Sequence, residues 1–472
     1  MAKALVLGSG ICGSAMAMML ARDGHDVTVV ERDGAQVPAS VEEAVEKWER
    51  PGVAQFRQAH YMHARFRHTL EAELPDMVDA LVRSGARRYD PVAEFLPPTI
   101  EDRAPRNGDD RYVTITGRRP MLESVFATAV VNEPNVDVRR GTKVSELLCG
   151  PEAVSGVPNV VGVRTENGDE FRADIAIDAM GRGSKLTEWI GAMGARPPEE
   201  QAEDCGYTYY GRYFRGDLPK QIGPALSAHG TISILTLPGD SDSWMVVIFM
   251  ASGDMPLKTL RRKEVWEKVL LAHPSKAHWL DGEAVGDVDT MSGIMDRRRG
   301  FVVDGKPVVT GLLPVADAWA CTNPSFGRGV SLGMWHAQEL RHFLRQADGD
   351  PAENAIEWNA RTAATHLPWY DAQIAMDRAR VREMDALRMG EEPPPPAPDD
   401  IVAQMQQAFF TAVEHDADVF RAFLDVMGCL ATPEELLARP GMFEKVIAAS
   451  AGREPTRFPG PNRQELLELV GA

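Results

Sequence analysis

The chain opens with glycines whose spacing suits a phosphate-binding turn. Gly8, Gly10 and Gly13 stand in the pattern G-x-G-x-x-G, between the apolar segment AKALVLG and a run rich in alanine, methionine and leucine. In this pattern the first glycine permits a tight turn, the second lets a pyrophosphate approach the backbone, and the third allows close packing of helix on strand. The pyrophosphate would lie at a helix N-terminus, where free N–H groups and the helix dipole favour negative charge. The spacing therefore predicts a dinucleotide site.

An acidic residue follows at the distance that such a site requires. The segment HDVTVVERD has the pattern of a second strand, and Glu31 and Arg32 stand at its end. A carboxylate about twenty residues after the glycines is placed to accept hydrogen bonds from ribose hydroxyls. Strand, glycines, helix, strand and terminal acid together predict a βαβ dinucleotide-binding unit. Such a unit alone does not distinguish NAD from FAD.

A segment some three hundred residues after the glycine turn favours FAD. In ADAWACTNPSFGRGVSLG an apolar strand precedes Asp317, a loop contains Pro324, and Gly327, Arg328 and Gly329 open a helix. A helix start offers N–H donors and the positive end of a dipole. Placed at the pyrimidine edge of an isoalloxazine ring, it would stabilise the anion that forms when flavin is reduced.

Taken together, these segments resemble those of the FAD-dependent monooxygenases of the p-hydroxybenzoate hydroxylase fold, and the overall pattern resembles oxygenases and epoxidases of bacterial specialised metabolism. The resemblance implies that Glu31 binds the adenosine ribose, that Asp317 binds the ribityl and pyrophosphate region, and that the loop 324–329 lines the flavin ring. It also implies FAD contacts from Arg119 in an R-x-x-L segment and from Asp178 and Gly181 in a D-A-x-G-x-x-S segment. Val144, between the two segments, is expected to contact FAD as well.

The chain departs from that family in the same segments. Ala316 stands where the family has a glycine before the aspartate, and Ala318 and Trp319 replace its Ala-His pair. In the D-A-x-G-x-x-S segment, Met180 and Arg182 flank the first glycine. These departures set the protein apart from the phenol hydroxylases, so an aromatic substrate is not assumed.

Composition limits the class of protein. At 472 residues the chain is long enough for two or three domains. A formal net charge of −18 argues against nucleic acid or an anionic membrane as a partner, and no apolar run approaches the roughly 18 residues of a membrane span. Five scattered cysteines without CxxC spacing indicate a reducing compartment and no structural metal. We expect a cytoplasmic protein without a signal peptide.

The order of patterns predicts an α/β protein: a Rossmann-like FAD-binding domain, an antiparallel-sheet substrate domain and a helical C-terminal region. Residues 64–86 and the segment TITGRRPMLESVFATAVV are predicted to be helical, and ENGDE indicates a hairpin turn. The proline-rich residues 393–398 are interpreted as a semi-rigid spacer. The predicted boundaries are 1–190 and 291–345 for the FAD-binding domain, 191–290 for the substrate domain and 346–472 for the C-terminal region.

A basic cluster beside aromatic residues has two interpretations. It comprises Arg57, His60, His63, Arg65 and Arg67. It is either a solvated helix face or a set of contacts with flavin phosphate or substrate, and the sequence does not decide between them.

Other notable side chains have structural interpretations. The arginine triplet 297–299 is predicted to cap or pair with the acidic surface, and the methionine-rich run 16–19 is predicted to pack in the core. Tyr207 and Tyr209 would share one face of a strand and Tyr210 the other. The pattern does not say which face meets a cavity.

The first functional hypothesis is an oxygenase. Reduced FAD would react with dioxygen to give a C4a-(hydro)peroxyflavin, which passes one oxygen atom to an apolar small molecule as a hydroxyl or epoxide. NADH or NADPH would supply electrons, directly or through a flavin reductase, and no catalytic side chain is assigned. The alternatives are a reductase of the geranylgeranyl reductase type, a flavin halogenase, whose W-x-W-x-I-P segment the sequence lacks, and a non-enzymatic flavin carrier.

Overall fold

The structure, a computed structural model, describes residues 2–347, 349–393, 397, 399–454 and 456–472. In chain order its strands are β1 (Lys3–Leu7), β2 (Asp26–Glu31), β3 (Arg87–Tyr89), β4 (Thr114–Thr116), β5 (Val136–Arg140), β6 (Val144–Val154), β7 (Val157–Thr165), β8 (Glu170–Arg172), β9 (Ile175–Asp178), β10 (Glu199–Asp204), β11 (Tyr207–Arg215), β12 (Leu226–His229), β13 (Ile232–Pro238), β14 (Ser243–Ala251), β15 (Glu283–Met291), β16 (Met295–Gly300), β17 (Val302–Val303), β18 (Lys306–Pro307), β19 (Leu312–Pro314) and β20 (Ala320–Cys321). Its α-helices are α1 (Ile11–Arg22), α2 (Val41–Glu46), α3 (Ala64–Glu73), α4 (Pro75–Arg83), α5 (Pro91–Phe95), α6 (Arg119–Asn132), α7 (Leu186–Ala192), α8 (Lys263–Leu271), α9 (Gly329–Leu344), α10 (Pro351–Arg388), α11 (Ile401–Val413), α12 (Ala417–Met427), α13 (Pro433–Leu437), α14 (Met442–Ser450) and α15 (Arg463–Val470).

A parallel sheet in the order β19-β9-β1-β2-β5 forms the centre of the FAD-binding part. Both faces of β1 are buried: Ala4 and Val6 pack into one apolar cluster with α1, α6 and α9, while Leu5 and Leu7 pack into another with β7 and α7. A strand buried on both faces has a continuous apolar sequence, as AKALVLG does. The predicted α/β fold class is confirmed.

An antiparallel sheet in the order β12-β13-β14-β11-β15 spans residues 207–291. All nine residues of β14 at its centre are buried. Tyr207 and Tyr209 pack on one face with Val247, whereas Tyr210 packs on the other with α8 and α15. The predicted division of the tyrosines between the two faces is confirmed, and the face that carries Tyr209 is the one that meets a cleft.

Two predicted helices differ in extent from the structure. The helical pattern of 64–86 is divided into α3 and α4 at Leu74, because a proline at position 75 disfavours helical geometry in the residue before it. The segment predicted as one helix from residue 114 begins with strand β4, and the helix itself starts at Arg119. β-Branched residues in Thr-Ile-Thr suit the strand, which pairs with β3.

The long helix α10 connects the two sheets. Near its start, the Trp358 indole N–H donates to the Pro314 carbonyl oxygen of β19 at 3.1 Å, and near its end Met384 packs with Tyr207. Further along the chain, α15 packs on the antiparallel sheet through Leu466 and Val470. The C-terminal helices therefore cover both parts of the fold.

Two sequence expectations concern other stretches of the chain. Among the residues described, no helix is long and apolar enough to cross a membrane. Of the predicted proline-rich spacer, residues 394–396 and 398 lie outside the described residues.

One buried cation has little compensation. Lys276 is 1% exposed, and its Nζ donates to the Pro224 carbonyl oxygen at 2.7 Å. Burial lowers the pKa of Lys276 to about 7. Between that value and the unfolded pKa of about 10.4 the unfolded chain binds the extra proton, so stability rises with pH across this range.

We therefore expect Lys276→Met to be more stable than the native protein at pH 7, by about 1–3 kcal/mol, with a smaller difference at pH 9. Urea unfolding at both pH values measures the free energy of unfolding. Lys258→Met, at an exposed lysine, is the control and should change little. Equal effects of the two substitutions would contradict the prediction.

Candidate functional site

A cleft of about 480 Å³ lies at the carboxyl edge of the parallel sheet. Most of the candidate cofactor residues line it: Gly8, Gly10, Gly13, Glu31, Arg32, Arg119, Val144, Gly181, Asp317, Pro324, Gly327 and Gly329. The carboxyl ends of parallel strands meet at one edge of a sheet, which is where ligands bind in open α/β folds. Segments more than three hundred positions apart in sequence therefore face the same cleft.

Two helices begin at this cleft without a capping side chain. The N-cap residues are Gly10 for α1, which has no side chain, and Arg328 for α9, whose guanidinium can only donate. The first N–H groups of a helix have no partner within the helix. Both starts therefore offer free donors and positive dipole ends to an anionic ligand.

The three glycines of the first turn have different structural roles. A Cβ at Gly13 would lie 2.1 Å from the Gly8 carbonyl oxygen, and Gly8 itself has a φ of +98°. These two glycines are required by the protein backbone. At Gly10 the φ is −77° and the nearest atom to an added Cβ is a Glu123 carboxylate oxygen at 4.0 Å. The protein leaves space there, and a pyrophosphate fits it.

Glu31 is held in place by three donors. The backbone N–H of Ser9 donates to Oε2 at 2.9 Å, and that of Asp33 donates to Oε1 at 2.9 Å. The Arg50 guanidinium donates to Oε2 at 2.8 Å. Oε2 therefore accepts two bonds, whereas Oε1 accepts one and keeps a lone pair for a ribose hydroxyl.

Arg50 joins three carboxylates at the floor of the cleft. Its side chain is 4% exposed and contacts Glu31, Asp33 and Glu123 at 2.8, 2.7 and 2.9 Å. Burial opposes the charge of Arg50, but the three carboxylates outweigh this and raise its pKa. Glu123 is also buried, and Arg119 and Arg50 hold its pKa below the ordinary value despite desolvation. The sequence interpretation missed Arg50, whose signal was an arginine before Pro-Gly about twenty residues after Glu31.

Arg119 extends this network toward His60. Its Nε donates to Glu123 Oε1 at 2.7 Å, and its NH1 lies 3.5 Å from the Nε2 of His60. The His60 Nδ1 lies 2.9 Å from the Gln58 carbonyl oxygen and donates to it, which leaves Nε2 as the acceptor. Burial and then Arg119 lower the pKa of His60 to about 3. His60 therefore lines the cleft as a neutral ring.

Asp317 lies beside the start of α9. Its carboxylate is 3.5 Å from the Arg182 Nε and its side chain is 25% exposed. The preceding Ala316 has a φ of +54°, a conformation that suits the glycine found there in the resembled family. The Ala316 N–H donates to His336 Nδ1 at 3.0 Å, which helps to hold this strained turn. The turn after β19 therefore directs Asp317 toward the cleft.

Two of the candidate residues do not line the cleft. Asp178 is fully buried; it accepts from the Ser184 hydroxyl at 2.5 Å and from the Met180 N–H at 2.9 Å, and so supports the turn after β9. Arg328 is absent from the cleft lining, and its guanidinium lies beside the Met427 thioether and the rings of Phe326 and Trp369. Direct cofactor contacts from these two residues stay predictions.

The wall of the cleft on the antiparallel sheet is uncharged. It is formed by Tyr209, Leu235, Val247 and Met291. The Tyr209 hydroxyl donates to Asn323 Oδ1 at 2.5 Å. Burial raises the pKa of Tyr209 well above its ordinary value, so the phenol stays neutral.

The loop at 323–327 is held from behind by two buried acids. The Asn323 N–H donates to Asp296 at 2.5 Å, and the Ser325 hydroxyl donates to Asp377 at 2.8 Å. Burial raises the pKa of Asp296 to about 7 and that of Asp377 to about 6. These bonds place Pro324 and Gly327 at the cleft.

The basic cluster of residues 57–67 fits neither predicted interpretation as a whole. Arg57, Arg65 and Arg67 donate to backbone carbonyl oxygens within the protein. His63 Nε2 lies 2.7 Å from the Phe326 carbonyl oxygen, so it supports the loop. Among these five side chains, His60 lines the cleft. The predicted structural role of the triplet 297–299 is borne out by Arg299, which pairs with Glu200.

Comparison with known proteins places this cleft in context. A family profile described as an FAD binding domain matches residues 1–203. Protein Rv3254 of Mycobacterium tuberculosis (strain ATCC 25618 / H37Rv) is 26% identical over 393 residues, 77% of this chain and 78% of that protein. Among solved structures, PqsL from Pseudomonas aeruginosa, a probable FAD-dependent monooxygenase, aligns with a TM-score of 0.59 and 16% identity over 81% of this chain and 96% of its own. The flavin-dependent brominase Bmp2 aligns with a TM-score of 0.58 and 16% identity over 94% of this chain and 98% of its own.

These similarities confirm the fold that the resemblance implied and an FAD binding domain over residues 1–203. Residues 1–203 match an FAD binding domain, and the chain shares the fold of these solved structures. The cleft fits the cofactor, since the space at Gly10, the two uncapped helix starts and the fixed carboxylate of Glu31 match its pyrophosphate and ribose.

Two of the three glycines of the first turn give a matched test of cofactor placement. Gly10→Ala should leave the unliganded fold intact and weaken FAD binding at least about tenfold, because the added methyl group projects into the pyrophosphate space. Gly13→Ala should instead destabilise the unliganded fold, because its Cβ meets the Gly8 carbonyl oxygen. Quenching of FAD fluorescence measures affinity, and urea unfolding of the apoprotein measures stability. Native FAD affinity in Gly10→Ala would contradict this placement.

Arg50 gives a test of the charge network. Arg50→Met should lower the free energy of unfolding by about 3–5 kcal/mol and weaken FAD binding, because three carboxylates lose their shared cation. Arg139→Met removes an exposed ion pair with Asp137 and should change stability by less than about 1 kcal/mol. Urea unfolding compares the two variants. A loss at Arg50 no larger than that at Arg139 would show that the network contributes little.

Proposed function

We propose that the protein is an FAD-dependent monooxygenase that transfers one oxygen atom of dioxygen to an uncharged, apolar small molecule, as a hydroxyl or an epoxide. The observation that carries the proposal is the division of the cleft into two chemically distinct walls. The parallel-sheet side presents glycines, helix starts and charged side chains, and the antiparallel-sheet side presents Tyr209, Leu235, Val247 and Met291. Bound FAD would supply the electrons and the activation of dioxygen.

The cofactor side would bind and orient FAD through the residues that line it. The start of α1 and Gly10 would receive the pyrophosphate, and Glu31 the adenosine ribose. Asp317 would accept from the ribityl chain, and Gly327 and Gly329 would bring bare backbone close to the ring. The positive end of α9 beside that position favours negative charge there.

The opposite wall would bind the substrate and keep water from it. Leu235, Val247 and Met291 have no hydrogen-bonding side-chain group apart from the weak thioether acceptor, and Tyr209 has its hydroxyl engaged by Asn323. Binding on this wall therefore depends on apolar contact, and a charged substrate would lose its hydration without gaining a partner. This favours an uncharged substrate. Whether the product is an alcohol or an epoxide depends on which carbon the wall holds nearest the cofactor.

The source of electrons is part of the proposal. NADH or NADPH would reduce the flavin, either directly or through a separate flavin reductase. The rate of flavin bleaching under nitrogen distinguishes these routes. It is measured with NADH and with NADPH, each with and without an added reductase.

The test uses labelled dioxygen and the holoenzyme. A panel of uncharged terpenes and aromatic alkenes, with the carboxylated analogue of each compound as its matched control, is incubated with reductant and ¹⁸O₂. We expect a product that carries one ¹⁸O atom from an uncharged compound and a lower yield from its carboxylated analogue. Mass spectrometry measures the label.

Other outcomes would support other reactions. Saturation of a double bond under nitrogen, with no label taken up in air, would replace the proposal with a reductase. Bromine in the product, dependent on added bromide, would replace it with a halogenase such as Bmp2. Hydrogen peroxide as the sole oxygen product across the panel would also contradict the monooxygenase.

A further inference from the structure

Gln58 is a buried carboxamide whose side chain has no hydrogen-bond partner in the part of the chain that the structure describes. The residue is 7% exposed, and its hydrogen bonds are all made by its backbone. Its N–H donates to the Gln55 carbonyl oxygen at 3.0 Å. Its carbonyl oxygen accepts from the His60 Nδ1 at 2.9 Å and from the Tyr213 hydroxyl at 3.0 Å. The side-chain amide keeps its acceptor oxygen and two N–H donors free.

The other buried carboxamides of the described residues are bonded through their side chains. Asn323 Oδ1 accepts from the Tyr209 hydroxyl at 2.5 Å, and the Gln373 amide donates to Asp377 at 2.7 Å. Both of these bonds hold parts of the protein together. Gln58 differs because its side chain lines the cleft and bonds to nothing there.

The Gln58 amide lies on the antiparallel-sheet wall of the cleft. Its Oε1 is 3.6 Å from the position that a Cβ would take at Gly211 of β11. Alternate residues of a strand point to the same face, so Gly211 shares the cleft face with Tyr209. The other atoms close to that position belong to Met245 and Val247. Because Gly211 has no side chain, the sheet leaves room for one amide among apolar neighbours.

The position of this amide is fixed before any ligand arrives. The Tyr213 hydroxyl joins the Gln58 backbone to β11, and the His60 ring braces it within its own segment. A group whose backbone is already held loses less freedom when it binds a ligand. The structure therefore has the rigidity of a recognition site at this position.

An unpartnered amide at this position sets a condition on what binds beside it. While the cleft is open to solvent, water hydrates a carboxamide. An apolar ligand on the wall would displace that water and leave a buried donor and acceptor unpaired, which is costly. A ligand with a matching polar group would avoid this cost.

We propose that Gln58 is a specificity-determining residue of the substrate wall, and that the substrate carries, on its apolar skeleton, an uncharged group that both donates and accepts a hydrogen bond: a hydroxyl or a carboxamide. Gln58 supplies no charge of its own, so it favours a neutral group over an ionised one. The inference rests on the proposed function in taking the antiparallel-sheet wall as the substrate side. Anchoring at Gln58 would decide which end of the skeleton faces the cofactor.

The experiment measures binding to the FAD-loaded protein at pH 7 without reductant, by titration calorimetry. The probes are two matched pairs: 4-ethylphenol with 4-ethylanisole, and 4-ethylbenzamide with methyl 4-ethylbenzoate. In each pair the second compound lacks the hydrogen-bond donor. In at least one pair we expect the donor-bearing compound to bind at least about fivefold more tightly than its partner. This preference should fall to about one in Gln58→Leu and persist in Gln407→Leu, which changes an exposed glutamine.

Several results would overturn the proposal. They are equal affinities within both pairs in the native protein, a preference that persists in Gln58→Leu, and no binding of any of the four compounds below about 1 mM. A weaker affinity of Gln58→Leu for FAD, with the preference unchanged, would assign the amide to the cofactor and would also overturn it.

A second experiment decides the matter if Gln58→Leu does not fold. In a crystal structure of the native FAD-loaded protein with 4-ethylbenzamide, hydrogen bonds between the two amides would support the proposal, and a ligand amide bound elsewhere in the cleft would contradict it. Neither experiment involves reduction of the flavin. A protein that shows the preference but transfers no oxygen would refute the monooxygenase alone, and one that transfers oxygen without the preference would refute the role of Gln58 alone.

Discussion

The parallel alignment of the central sheet is the constraint on which the rest of the structure depends. Parallel strands direct their carboxyl ends to one edge, so the glycine turn after β1, Glu31 at the end of β2 and Asp317 shortly after β19 meet at the same cleft. The chain returns to this sheet after the whole antiparallel domain, when β19 pairs with β9. The uncharged wall of the antiparallel sheet is thereby set opposite the glycine-lined wall by chain connectivity, and α10 packs across both sheets.

Charge at the floor of the cleft is balanced within the protein. Arg50 contacts Glu31, Asp33 and Glu123, while Arg119 also pairs with Glu123 and Arg140 with Asp33, so three arginines meet three carboxylates. Ion pairs this deeply buried are costly to form from solvated groups, and their geometry must be close to ideal to compensate. The benefit is orientation: Glu31 is fixed before any ligand arrives, so less freedom is lost when ribose binds.

The loop that lines the cofactor position is supported on its far side by groups of a different kind. Asp296 and Asp377 accept from Asn323 and Ser325, His63 contacts the Phe326 carbonyl oxygen, and the Arg328 guanidinium lies beside Met427 and Trp369. One face of the loop is therefore bare backbone for a ligand, and the other is a dense polar contact with β16, α3 and α10. This arrangement explains how a glycine-rich loop keeps a defined shape.

Local pattern in the sequence determined the βαβ unit, the glycine turn, the strand-end acid, the two faces of β11 and the α/β class, because each depends on residues close together in the chain. Tertiary structure alone decided the rest. It recruited Arg50 and His60 to the cleft, placed Asp178 and Arg328 away from it, and sorted the basic cluster 57–67 into internal contacts. Those outcomes depend on which distant backbone groups and charges surround a side chain once the strands have paired. The position of Arg50 in the sequence marks a candidate but not its partners, because these come from separate strands and helices brought together only by folding.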